Sequence, residues 1–259
     1  MRVVSLEDGN TISLSYDIQY SVNGDDWRKL SARNQITVNR DDIVYFKGTN
    51  TQNQFTVSKS FNAEGNIMSL IYNDDFEGQI NFIGKYRAFY NLFNNCTTLQ
   101  SAENLILPAT TLAEYCYAYM FESCANLTTA PELPATELAN SCYYEMFYGC
   151  TSLETAPQLP ATTLASNCYY SMFNGCTSLE TAPELPAIKL KSYCYYSMFK
   201  GCSKLNYIKM LATNISAYNC LNNWVENVAS SGIFVKNAAM TSLPNGQSGI
   251  PTRWTVENA

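Results

Sequence analysis

The stretch Leu159-Pro-Ala-Thr-Thr-Leu164-Ala-Ser-Asn-Cys168-Tyr-Tyr-Ser-Met172-Phe173-Asn-Gly175-Cys176-Thr-Ser-Leu179-Glu-Thr-Ala182-Pro-Glu184 is one copy of a unit that recurs across half the chain. Leu-Pro-Ala also occurs at Leu107, Leu133 and Leu185, always at an interval of 26 residues. Phe121, Phe147, Phe173 and Phe199 keep that interval, as do Leu127, Leu153, Leu179 and Leu205. Phe93 and Leu99 belong to a divergent first copy, offset by 28. A degraded last copy starts at Leu211, with Cys220 lying 26 residues after Cys194 and Trp224-Val225 standing in for Met198-Phe199. A period of this length marks a repeat architecture, because one unit is too small to bury its own apolar face and needs its neighbours.

Within a unit, Cys168, Met172, Phe173 and Cys176 fall at helical spacing and should share an inward face. Gly175 stands where such a helical turn would end, and Thr177 to Ala182 reads as a short strand closed by Pro183. The expected fold class is therefore α/β, a solenoid of 26-residue coils, each a helical turn plus a short parallel strand, preceded by an all-β sandwich.

The pattern Met-Phe-x-Gly-Cys-Thr-Ser-Leu, followed by Leu-Pro-Ala-Thr, resembles the BspA-type leucine-rich repeat of surface proteins from anaerobic gut and oral bacteria. The likeness covers about half the chain. It implies a leucine-rich-repeat interior built on Phe147, Cys150, Leu153 and their equivalents, and a role in adhesion or recognition of a host or microbial surface. This chain departs from the family in having methionine before the phenylalanine and an added cysteine column.

The flanks follow another rhythm. Residues Thr11 to Val22 alternate apolar and polar, Asn23-Gly24 is a hairpin signal, and Gln35–Asn39, Asp42–Lys47 and Gln54–Ser58 keep a period of two. A small antiparallel sandwich is expected over 1–62, the solenoid over 63–210, and a degenerate last coil with a β cap over 211–259. Gly65 to Tyr72 reads as a buried strand closing the first coil, and Ile233–Lys236 and Trp254–Val256 read as strands of the cap, which would cover the open end.

The net charge of -6 disfavours a nucleic-acid groove or an anionic membrane as partner, and no apolar run is long enough to cross a bilayer. No signal-peptide core follows Met1; secretion or surface exposure is nevertheless expected, through a leader that has been removed or a route that needs none. The chain has no histidine, which removes the commonest general base and the commonest metal ligand. No cofactor, no metal and no catalytic residue is assigned, and a monomer is expected.

The ten cysteines form two columns, 96, 124, 150, 176, 202 and 116, 142, 168, 194, 220. They read as buried thiols filling space, with some disulfide pairing as the alternative; their spacing of eight and eighteen does not suit zinc. Two exposed faces could bind. Tyr119, Tyr144, Tyr170 and Tyr196 should form an outward tyrosine row, while Tyr143 and its equivalents lie at the boundary. On the strand side, Thr128, Glu154, Glu180 and Asn206 make an acidic to neutral strip. The expected function is non-catalytic binding of a protein or glycan surface. A structural spacer or virion component is the alternative, and a glycoside-active enzyme using Glu154 and Glu180 a more distant one.

Overall fold

The computed structural model describes residues 1–259. Alternating apolar and polar residues build the N-terminal part from strands β1 (Arg2–Ser5), β2 (Asn10–Leu14), β3 (Ile18–Val22), β4 (Arg28–Leu30), β5 (Gln35–Val38), β6 (Ile43–Lys47), β7 (Phe55–Val57) and β8 (Phe61–Asn66). One sheet contains β8-β1-β6-β3-β4 and the other β5-β2-β7, all antiparallel. Val3, Ile18, Val44, Phe46 and Phe61 from the first sheet and Ile12, Leu14, Val38 and Phe55 from the second are buried. Asn23 and Gly24 both take positive φ (52° and 86°), as the tight turn between β3 and β4 requires.

The alternating stretch 11 to 22 is divided between two strands: the chain breaks after Leu14, and β2 and β3 belong to different sheets. One expectation is corrected: the stretch from Gly65 is not a buried strand. The strand ends at Asn66, and Ser69–Tyr72 is a single helical turn, α1, whose Leu70 and Ile71 are buried. A short continuous apolar run fits either conformation.

No linker separates the sandwich from the repeats. The outer edge of β8 pairs in parallel with β9 (Leu99–Ser101) and β10 (Leu105–Ile106), and the expected boundary at residue 62 falls inside β8. A single hydrophobic cluster of 72 residues runs from Met1 to Trp254.

The helical-turn leucine-rich-repeat solenoid is not what the chain forms. The protein is nearly all β, about 2% helix and 24% strand, with its strands in three sheets and no helix in any repeat. Where a helical turn was expected, the backbone makes consecutive β-turns. In residues 142–150, the amides of Cys142, Tyr144, Met146, Tyr148 and Cys150 each donate to the carbonyl three residues back, at 3.1–3.3 Å. The intervening amides of Ser141, Tyr143, Glu145, Phe147 and Gly149 instead donate to Ser166, Cys168, Tyr170, Met172 and Asn174 of the next unit, at 2.8–3.1 Å. Ser141, Glu145 and Gly149 have φ of 55°, 51° and 71°, one left-handed residue in every four. The resulting two-in, two-out pattern has a period of four, close enough to 3.6 to mimic a helical face.

The expected parallel strands shrink to single bridges, Ser101↔Thr129, Thr129↔Thr155 and Thr181↔Tyr207. Pro131, Pro157 and Pro183 follow directly and lack the amide that would extend them. Cys168, Met172, Phe173 and Cys176 do face inward, all fully buried. The Tyr117, Tyr143, Tyr169, Tyr195 column is not at the boundary, since each ring is only 1% exposed. At the far end, β11 (Tyr207–Met210), β12 (Ile233–Lys236) and β13 (Thr255–Asn258) form a parallel sheet. Trp224 lies over Tyr195 and Phe199, its Nε1 donating to the Gly249 carbonyl at 2.8 Å.

Candidate functional site

The tyrosine row is real but closed on itself. Tyr144, Tyr170 and Tyr196 are half-buried and stack face to face, with centroids 4.5 and 4.6 Å apart and planes within 5°. Tyr119 and then Tyr90 extend the row with tilted rings at 5.3 and 5.2 Å. In the middle of the row both faces of Tyr170 are occupied by its neighbours, so only ring edges and hydroxyls meet solvent, and stacking on a sugar is unavailable there.

Equivalent rings in successive units have centroids 4.5–4.6 Å apart at the tyrosine row, 5.4–5.8 Å in the buried column Phe121, Phe147, Phe173, Phe199, and 5.7–6.1 Å from Tyr117 to Tyr195.

On the strand side Ala102 donates to Thr129 and Ala182 to Tyr207, both at 3.0 Å, but the amides of Ala156 and Glu180 make no main-chain hydrogen bond. At that step lies a groove of about 490 Å³ lined by Glu154, Thr155, Gln158, Glu180, Thr181 and Lys204. A smaller hollow of about 270 Å³ continues it past Glu103, Thr129 and Glu132, sharing Thr155. Of the strip anticipated from sequence, the fold brings Glu154 and Glu180 together. Thr128 and Asn206 lie one unit to either side and are engaged in joining units: Thr128 Oγ1 donates to the Gln100 carbonyl at 3.0 Å and the Asn206 amide to the Glu180 carbonyl at 2.9 Å. Lys204, not anticipated, faces the groove without an ion pair to either carboxylate. It is the one charge in the column Asn126, Ser152, Ser178, Lys204, a signal present in the sequence.

Beside Tyr119 in the row lie two carboxylates, Glu122 and Glu145. Burial first, and the neighbouring Glu122 second, push Glu145 up to about 6. Glu122 accepts a 2.6 Å hydrogen bond from Asn94 Nδ2.

All ten cysteines are buried and unpaired. In one column each thiol donates to a carbonyl in the preceding layer: Cys96 to Phe55, Cys124 to Phe93, Cys150 to Phe121, Cys176 to Phe147 and Cys202 to Phe173, at 3.0–3.2 Å. Cysteine supplies there both a small apolar body and a donor. Burial pushes these thiols up, Cys96 and Cys202 to about 12, which keeps them protonated at neutral pH. No group of three or more potential metal ligands occurs, and no helix is long and apolar enough to cross a membrane.

No protein family, characterised protein or solved structure matches this chain.

Proposed function

We propose that the protein is a non-catalytic binding protein whose repeat groove takes a hydroxyl-rich ligand, a glycan on a host or microbial surface. The observation that supports this reading is the open step between the units at 154–156 and 180–182. Two free amides, two carboxylates, Gln158, Thr155 and Thr181 there offer donors and acceptors in one polar trough. A sugar presents the complementary hydroxyls, each able to donate and accept. Glu154 and Glu180 are both solvent-exposed, and nothing encloses a scissile bond between them, which favours binding over hydrolysis. Exposure at a cell surface, action as a monomer and the absence of a nucleic-acid partner belong to the same proposal.

The test is a glycan array, followed by titration of the best ligand against Glu154→Gln/Glu180→Gln and Tyr170→Ala variants. The carboxamide variant should lose at least about tenfold in affinity, since each charged hydrogen bond contributes roughly 1.5–3 kcal/mol. Loss confined to Tyr170→Ala would move the site to the tyrosine row. Binding unchanged in both would sink the reading and favour the structural spacer, for which the self-stacked tyrosines speak.

A further inference from the structure

Where the sandwich meets the first repeat, a lone cation has been left unpaired among neutral polar groups. Arg87 stands at φ 55° and its guanidinium lies over the rings of Tyr86, Tyr90 and Tyr115 at 5.0–5.6 Å. Its Nε is buried without a partner, and no carboxylate pairs with the guanidinium. The two terminal nitrogens are not buried and make no hydrogen bond within the chain. In a chain with 22 acidic and 16 basic residues, an arginine held against aromatic rings and in no ion pair, although its amide donates to the Glu114 carbonyl at 3.0 Å, has its charge available for something else.

The space in front of it is suited to a ligand. A hollow of about 290 Å³ is lined by Arg87 with Ser15, Gln52, Gln54, Tyr90 and Asn91. It adjoins a second hollow of about 460 Å³, the two sharing Ser15 and Tyr16. The second is lined by Arg33, also without an ion pair, together with Ser13 and Thr56. Neither hollow has an acidic residue in its lining.

We infer that these adjoining hollows form a second binding site, for a short acidic oligosaccharide whose oxyanion groups meet Arg87 and Arg33. A guanidinium presents a planar fork of donors that matches a carboxylate or sulfate with two parallel hydrogen bonds. Leu14 apart, the remaining lining consists of hydroxyl- and amide-bearing residues, which answer sugar hydroxyls and would be left unpaired by an apolar acid. Two separated single cations fit a chain bearing one charge per sugar or per disaccharide. A nucleic acid requires a denser run of basic groups than this. The site is distinct from the repeat groove, whose carboxylates would repel the same ligand.

The test titrates the full chain with an oligogalacturonate tetramer, a sulfated oligosaccharide and a neutral oligosaccharide of equal length, and with sodium sulfate, by calorimetry at low ionic strength. An acidic oligomer should bind at least about tenfold more tightly than the neutral one and weaken as salt is added. Preference between the carboxylated and sulfated oligomers then identifies the oxyanion. Arg87→Gln should lose about tenfold or more, with the tyrosine near-ultraviolet signal reporting whether the fold is kept. Arg33→Gln, at an exposed position, should lose several-fold and also reduce the advantage of the tetramer over sodium sulfate. Binding that ignores charge, or that survives Arg33→Gln and a folded Arg87→Gln, overturns the inference. So does sulfate binding as tightly as the oligomers, which would leave an adventitious ion only. Glu154→Gln/Glu180→Gln should not weaken acidic binding, so failure of this site and failure of the groove are read separately.

Discussion

Replacing Gly175 by alanine tests the left-handed backbone of the turn ladder. At a right-handed position inside a helix alanine is better than glycine by about 1 kcal/mol, and such a variant would gain stability. Here Gly175 sits at φ +78°, and a Cβ would lie 3.6 and 3.7 Å from Gly149 Cα and N, ordinary contact with no clash. The cost is therefore conformational. A left-handed L-residue loses about 1–2 kcal/mol, while the reduced freedom of alanine in the unfolded chain returns about 0.4–1 kcal/mol. The net is a loss of roughly 1 kcal/mol, equivalent to about 2–4 °C in Tm for a chain of this size. Asparagine tolerates positive φ and should lose less, whereas valine should lose most. Thermal unfolding of the four proteins, followed by tryptophan fluorescence, should rank them glycine, asparagine, alanine, valine. A higher Tm for alanine than for glycine refutes the turn ladder at this position.

Two further outcomes follow from burial. Because Glu145 in the folded chain is raised from 4.5 to about 6, its favourable contribution is present in full below about pH 4.5 and is lost as the pH rises through about 6. Glu145→Gln should then raise stability at pH 7 by about 1 kcal/mol, after allowance for solvent screening, and change little at pH 4; an equal urea-midpoint shift at both pH values would contradict the assigned titration. All ten thiols should resist a maleimide in the native protein and all should react in guanidinium, with Cys96 and Cys220, the two partly reachable ones, first on partial unfolding. Labelling of Cys150 ahead of those two would refute the packing.

The repeat, its 26-residue interval and the inward columns were legible because columns of Phe, Met, Cys and Leu are a direct record of what touches what. The backbone that presents them was misread because a four-residue period of two inward and two outward residues overlaps the helical one. The signal that separates the two was on the page. From Tyr115 on the left-handed positions recur every fourth residue within each copy and are never β-branched: they are Asn219, Asn223 and Asn227 in the last copy, and in the middle ones Asn167, Gly149, Gly175 and Gly201 alternate with tyrosine, serine and Glu145. Asparagine at that interval in the last copy argues for turns and against a helix, whereas the tyrosines and serines of the middle copies carry no such mark. Glu154 and Glu180 were legible as neighbours from the period alone. The opening of the groove between them was not, since it depends on which main-chain bonds form between units, and neither was the unpaired state of Arg87, whose hollow is lined by residues some 35 to 70 positions distant in sequence.

The bond from each left-handed amide to the next unit has a consequence for how the molecule can vary. Every column, whether ring, thiol or carbonyl, is spelled at a single interval, so the chain can grow or shrink only in whole units. Removing 159–184 would join Gln158 to Leu185 and bring Phe147 against Phe199 with every column still aligned. Removing a few residues more or fewer would set outward tyrosines into the thiol column. Length is thus quantised, and the same sandwich and the same cap could enclose a longer or a shorter series of units without either end being redesigned.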